Sequence, residues 1–322
     1  MPICLERLRP LKIDQKSIMS SPPFVSAASG LLHIHDKFYV IDDDSLSLAC
    51  FPAGLVDGGQ RYRLLEGELP LNPMERKKSK PDLESICFLE PEIFPPFGAI
   101  LAVPSGSKAN RMTGALAPFV EPKVLAEKAM LIDFAPLYQE LLKHFSDLNI
   151  EGCFISGGQL KFLQRGNGPI KQNALIRANL DSAVLDLISQ RSLGSGLFES
   201  AREIALGALR GVNLSFTDGA SIHSKETWFL AVAENTLSTY EDGRYCGAIL
   251  GCLNERDEII FQDELLCPEK PEGICLLDKG DRLKFLVVTD ADDPLKPSYM
   301  YQGIRETQKL RPWPKTQLLP VK

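Results

Sequence analysis

No run of this chain reaches the ~18 consecutive apolar residues that a membrane-crossing helix needs. The opening residues, Met1-Pro2-Ile3-Cys4-Leu5-Glu6-Arg7, lack the basic-then-apolar layout of a secretory signal. The expected location is therefore the cytoplasm, with no membrane partner. No C-x-x-C pair occurs among the 8 cysteines, most of which lie inside apolar runs, so buried free thiols are expected rather than disulfides or a zinc site. There is no G-x-G-x-x-G after a strand, no phosphate loop, no G-x-S-x-G elbow and no EF-hand register, which leaves a nucleotide cofactor or a serine triad without support. Nor does positive charge predominate: 36 Lys and Arg stand against 42 Asp and Glu. The net charge of −6 argues against nucleic acid, whose binding draws on clustered Lys and Arg. The one basic cluster, Arg76-Lys77-Lys78 with Lys80, is flanked by prolines and reads as a solvated loop.

What the chain does have is self-similarity. A small or acidic residue, often followed by glycine, opens an apolar run, a turn and a second apolar run that ends in polar residues. The anchors are Ser29, Glu84, Glu151, Asp218 and Glu272, spaced 54 to 67 residues apart over a chain of 322. The runs are short, β-branched or aromatic, and bounded by Gly, Asp, Asn or Pro, which is the strand signal. Leu31–Ile34 with Phe38–Ile41 is one pair; Ile274 with Phe285–Val288 is the last. Third and fourth strands are expected in most units, for example at 47–51, 174–177 and 246–250, then at 62–65, 129–132, 203–206 and 258–261. Four antiparallel strands in some 60 residues describe a propeller blade. The prediction is an all-β chain forming a single propeller domain over 1–322 with five four-stranded blades, six being the alternative.

The fifth unit lacks an outer partner before the Pro-rich tail at 307–322, so the stretch Leu5–Leu11 is expected to supply that strand and close the ring. Residues 14–25 then lead into the first blade. Tyr138, Leu141, Leu142 and Phe145 carry helical spacing, and 182–190 is a second helix candidate.

The first strand of a propeller blade lines the central channel, so the anchors are expected to gather around one axis. Four carboxylates there cannot sit unpaired: at ~6 Å and an effective dielectric of ~20 each pair repels by roughly 3 kcal/mol. Protons, bases or a cation must neutralise them, and oxygen ligands suit calcium or magnesium. A second polar column closes each hairpin. It holds Asp42–Asp44, Ser105 and Ser107 with Asn110-Arg111, Arg165 with Asn167, Glu234-Asn235, and Asp290 with Asp292-Asp293. The bland account of both columns is turn formation and blade registration. His33 and His35 alternate on one strand and would share a face, His144 sits on the helix candidate and His223 in a turn; none has an assignable partner.

Asn149-Ile150-Glu151-Gly152, Lys270-Pro271-Glu272-Gly273-Ile274, Thr289-Asp290-Ala291-Asp292-Asp293-Pro294 and Gln164-Arg165-Gly166-Asn167 resemble an uncharacterised bacterial propeller family. That family is akin to the phytase-like esterase and SdiA-regulated propellers, and the likeness spans roughly residues 26–305. The resemblance implies a propeller with acidic and amide residues around a channel calcium.

Two functions follow as expectations. One is a metal-dependent hydrolase of phosphate esters, carboxylic esters or lactones. Glu84, Glu151, Asp218, Glu272, Asn167 and Asn235 would hold calcium or another divalent cation, Arg165 and Arg111 would bind the substrate anion, and Asp292 would act as base. The other is a non-catalytic propeller that binds a small molecule or a protein on one face, its acids structural.

Overall fold

In a computed structural model, residues 2–14, 22–54, 58–222, 226–235, 243–279 and 282–306 are described. Five antiparallel sheets succeed one another along the chain, so the protein is a five-bladed β-propeller. Blade 1 comprises Ala28–Ile34, Lys37–Asp42, Ser47–Pro52 and Gln60–Arg63. Blade 2 comprises Leu83–Leu89, Ala99–Pro104 and Thr113–Glu121, with Val124–Leu125 and Met130–Asp133 both on its outer edge. Blade 3 comprises Ile150–Ser156, Gln159–Gln164, Ala174–Asn179 and Phe198–Glu203. Blade 4 is built on Val212–Ala220, Thr227–Asn235, Arg244–Leu253 and Ile259–Leu266. Blade 5 takes Lys270–Lys279, Arg282–Asp290 and Tyr299–Glu306 from the end of the chain and Glu6–Pro10 from its start.

That last pairing closes the ring. Glu6 lies opposite Gln302 and Pro10 opposite Tyr299 in an antiparallel ladder. Ile3–Cys4 runs on, parallel to Leu265–Leu266, at the outer edge of blade 4. The expected closing strand is therefore present and straddles two blades, covering edges that would otherwise be open to another chain.

The core follows from alternation. Side chains of period two point to either face of each sheet, and adjacent sheets bury those faces against each other. Five apolar clusters result, one in each wedge between neighbouring blades. The wedge between blades 2 and 3 is the thickest, because the helices Ala135–Leu141 and Leu180–Ser189 add to it. Both lie where helical spacing was read. None of the described helices is long and apolar enough to cross a membrane.

The structure departs from expectation in four places. The basic stretch is not a loop: Pro73–Ser79 is a helix, started by Pro73 and by Asn72, whose side chain accepts from the Met74 and Glu75 amides. The fourth strand of blade 3 is Phe198–Glu203; Ile204 and Leu206 are buried in the link that enters the wedge between blades 3 and 4. His35 lies in the hairpin turn with φ 56, so it shares no strand face with His33. His144 packs on Phe198, with ring centroids 4.8 Å apart. His223 and the tail 307–322 lie outside the described residues.

Candidate functional site

The inner strands meet around the axis, each against the next, with blade 5 against blade 1. Every inner strand carries a bulge, one residue skipped in the ladder with its hairpin partner. The skipped residues are Ser29, Glu84, Glu151, Thr217 and Glu272. Four are the anchors read from the sequence. In blade 4 the register differs by one: Thr217, not Asp218, occupies the anchor position, and its hydroxyl donates to the Pro271 carbonyl.

The residue after each bulge explains the recurring glycine. Gly30, Ser85, Gly152, Asp218 and Gly273 stand there. A Cβ on Gly273 would come within 2.9 Å of Gly30 backbone, and one on Gly152 within 3.2 Å of the Gly219 nitrogen. Glycine thus permits close approach of adjacent inner strands. Ser85 and Asp218 substitute a hydrogen bond. The Ser85 hydroxyl accepts from the Cys153 amide, and Asp218 Oδ2 accepts from the Ile274 amide, each in the next blade. Asp218 is a blade-to-blade strut, and its carboxyl is pushed well above the usual range by burial, which those amide donors only partly offset.

One mouth of the channel is a polar funnel of about 220 Å³. Ten carboxylates and five basic side chains line it. Ser29, Glu84, Glu151 and Glu272 reach it from the bulges. Asp43, Asp44, Arg165, Asn167, Asp290, Asp292 and Asp293 reach it from the hairpin ends, with Glu234 and Arg111 beside them. The two polar columns therefore converge. Asp218 does not line the funnel, and Asn235 is exposed outside it.

A third column was not read from the sequence. Ala27, Asp82, Asn149 and Lys270 lie two residues before their bulges and also line the funnel, while Ser215, at the same place in blade 4, accepts from Arg165 Nε at 3.4 Å. Period-two counting back from the anchors would have found them. Lys80, read as solvated, is 7% exposed.

The cations sit between blades. Arg165, from blade 3, reaches Glu234 of blade 4 at 2.6 Å, Glu151 at 3.2 Å and Glu272 of blade 5 at 3.9 Å. Lys270 lies 3.1 Å from Glu272, 2.8 Å from Asp292 and 3.6 Å from Asp290. Lys80 pairs with Asp43 and lies 3.3 Å from Asp82 and 3.4 Å from Asp44. Arg111 contacts Asp82 at 2.5 Å and the Ser107 hydroxyl at 2.9 Å. Both arginines thus face the funnel but are already engaged by its carboxylates.

Half as many bases as acids leaves a charge excess, and it shows in particular groups. Burial, then the Glu151, Asp82 and Asp43 charges, drive the Glu84 carboxyl well above its ordinary range, and the nearby Lys80 charge offsets this in part. Glu84 has no hydrogen bond or ion pair among the described residues. Burial raises Glu151 to about 7 against the pull of Arg165, and raises Asp290 to about 7 against that of Lys270. Glu272 Oε2, Asp43 Oδ1 and Asn167 Oδ1 are buried without a hydrogen-bond partner. Oxygens of Asp43, Asp82 and Glu84 all lie within 4.8 Å of one another. Such a cluster can hold a hard cation; it offers no recess of positive charge for an anion.

A family model described as a family of unknown function, DUF6929, matches residues 24–303. No curated protein matches the chain. Among solved structures, the GH43 β-1,3-galactosidase BT0265 aligns with a TM-score of 0.51 at 8% identity, covering 92% of this chain and 59% of that one. A luciferin-regenerating enzyme aligns at 0.47 and 7%, covering 96% and 99%. The α-L-arabinofuranosidase PaAbf62A from Podospora anserina, in complex with cellotriose, aligns at 0.48 and 8%, covering 95% and 97%. Identities this low speak for the fold alone.

Proposed function

We propose, for a chain that belongs to DUF6929, a family of unknown function, that the funnel binds a hard divalent cation such as calcium and serves the hydrolysis of a small ester or lactone. The observation that carries the reading is the oxygen cluster of Asp43, Asp82 and Glu84. Its ligand atoms are all carboxylate oxygens, the donor set of calcium and magnesium. Two further facts support the fit: Glu84 lacks a partner among the described residues, and Asp43 Oδ1 is buried and unsatisfied. Lys80 shares this cluster, and Asp44, 3.4 Å away, is the carboxylate to which its ammonium would turn. When bound, such an ion polarises a carbonyl or lowers the pKa of a water.

The charge balance narrows the substrate. Arg111 and Arg165 are taken up by Asp82, Glu151 and Glu234, so neither is free to recognise a phosphate or carboxylate. An uncharged ester or lactone meets no repulsion in the funnel. Asp292, at the mouth and 2.8 Å from Lys270, is the partly exposed carboxylate suited to take up a proton.

A second reading has its own observation. Arg165 ties three blades together through carboxylates, which is what a purely structural acidic ring would do in a non-catalytic, ligand- or protein-binding propeller. Thermal unfolding separates the two. After EDTA treatment, saturating calcium, magnesium or manganese should raise the midpoint; an ion at ~100 times its Kd adds about 2.7 kcal/mol. Glu84→Gln should remove that rise and any esterase or lactonase turnover. No shift with any ion in the wild type leaves the structural reading.

A further inference from the structure

The channel has a second mouth whose lining mixes apolar side chains with polar groups. A cavity of about 450 Å³ opens there, walled by the inner strands of all five blades. Leu32, Phe88, Ile93, Ile155, Ala220 and Leu276 line it and remain half-buried. No lysine or arginine lines it among the described residues.

Burial favours the uncharged forms of several of its ionisable groups. Partial burial keeps the His33 imidazole below its ordinary value. The Asp218 carboxyl is pushed the other way, and its two oxygens are taken by the Gly219 and Ile274 amides. Burial moves the Cys275 thiol up to about 12 and the Cys153 thiol well above its usual range. Glu90 is exposed. In blades 1, 2, 3 and 5 the inner strand is ladder-paired on one side only, which leaves part of its other edge outside any ladder, the Cys153 and Ile274 amides being taken by Ser85 and Asp218.

We propose that this cavity binds one uncharged small molecule that pairs an apolar body with a hydrogen-bonding group, at a site separate from the funnel. The volume falls in the ~300–1,000 Å³ range of small-molecule sites. An anionic ligand would lose its hydration there without meeting a counter-charge, since no lysine or arginine lines the cavity among the described residues. A neutral one gains when its apolar body covers the half-buried side chains, while its polar group meets the parts of the strand edges outside any ladder. The inference does not depend on what the funnel binds.

The test is calorimetric titration of the full-length protein with 1-naphthol and with 1-naphthalenesulfonate, the same ring system bearing a charge. Naphthol should bind one per chain, and the sulfonate at least about tenfold more weakly. Ala220→Trp fills the cavity and should weaken naphthol at least about tenfold with an unchanged far-UV spectrum. Leu276→Asp, which adds charge to the same wall without filling it, should act likewise and serves if the tryptophan variant misfolds. Absence of naphthol binding at millimolar concentration, equal binding of the two probes, or naphthol affinity untouched by the folded variants would overturn the proposal.

Discussion

Arg165→Met is the sharpest probe of the funnel's electrostatics. The guanidinium is 7% exposed at its side chain and serves Glu234, Glu151 and Glu272 at 2.6, 3.2 and 3.9 Å. Methionine keeps much of the apolar volume but strands three buried carboxylates, with Lys270 the remaining base beside Glu272 and Glu234. Breaking a buried ion pair by removing one partner costs about 3–5 kcal/mol. A change of 1 kcal/mol moves the melting midpoint of a domain of 150–250 residues by about 2–4 °C; here a fall on the order of 10 °C is expected at pH 8. The penalty is a penalty of charge. As pH falls, Glu151, which burial already holds at about 7, takes up its proton, burial favours the same at Glu272, and much of the loss disappears near pH 5. Circular dichroism melts of wild type and variant at both pH values make the measurement. An equal loss at pH 5 and pH 8, or a loss below about 1 kcal/mol at pH 8, would refute the reasoning.

Other outcomes follow from the same geometry. Glu84, Glu151 and Asp290 have raised folded pKa values, so their stabilising share is complete below the ordinary carboxylate range and is lost as pH rises through the folded values, about 7 for Glu151 and Asp290. The wild-type melting midpoint without added cation should therefore fall between pH 5 and 8. For Glu151 alone, moving from 4.5 to about 7 corresponds to roughly 3 kcal/mol. Without added ion, Glu84→Gln should raise the midpoint at pH 8 and flatten this descent; a wild-type curve that climbs with pH contradicts both statements. Asp218→Asn should leave any ion-induced shift intact, because that side chain lies outside the funnel; loss of the shift would restore it as a ligand. Deleting residues 2–10 should lower the melting midpoint and produce concentration-dependent association in light scattering, since it bares the Tyr299–Glu306 edge; an unchanged monomer would show that the closing strand is dispensable.

The blade count and the closing strand were legible because they rest on periodicity. Each inner strand advertises itself by an anchor and a small residue, and the stretch before Leu11 was the remaining unpaired apolar strand. The single misplaced anchor shows where this fails. Asp218-Gly219 imitates the Glu-Gly pairs of blades 3 and 5, but the bulge that sets the register falls at Thr217, and a bulge is a property of two paired strands that one strand's residues do not display. Lys80 was misread for a related reason. Its neighbours Arg76, Lys77 and Lys78 belong to a surface helix, whereas Lys80 itself turns inward toward Asp43 and Asp82 from blades 1 and 2. Sequence proximity suggested a solvated charge run, and only the fold brings the carboxylates to it. The helix start, by contrast, was readable: Asn72-Pro73 is a cap followed by proline at the first turn. Two polar columns, one around the axis and one at the hairpin ends, were read from the sequence. Their neutralisation by Lys270 and Lys80 was not, because both lysines lie just before the anchors, in positions that no column had included.

The closing strand also sets a schedule for biosynthesis. Glu6 pairs with Gln302 and Ile3 with Leu265, so residues 3–10 wait for partners that are synthesised roughly 260–300 positions later. At the usual ~5–20 residues per second, the ribosome needs roughly 15–60 s to deliver those partners. Blades 1 to 4 can assemble as they emerge, but for that interval the ring is an open arc with a bare wedge at either end. The nascent chain is most exposed to wrong pairing then, and the circle closes only once the strand Tyr299–Glu306 has been made.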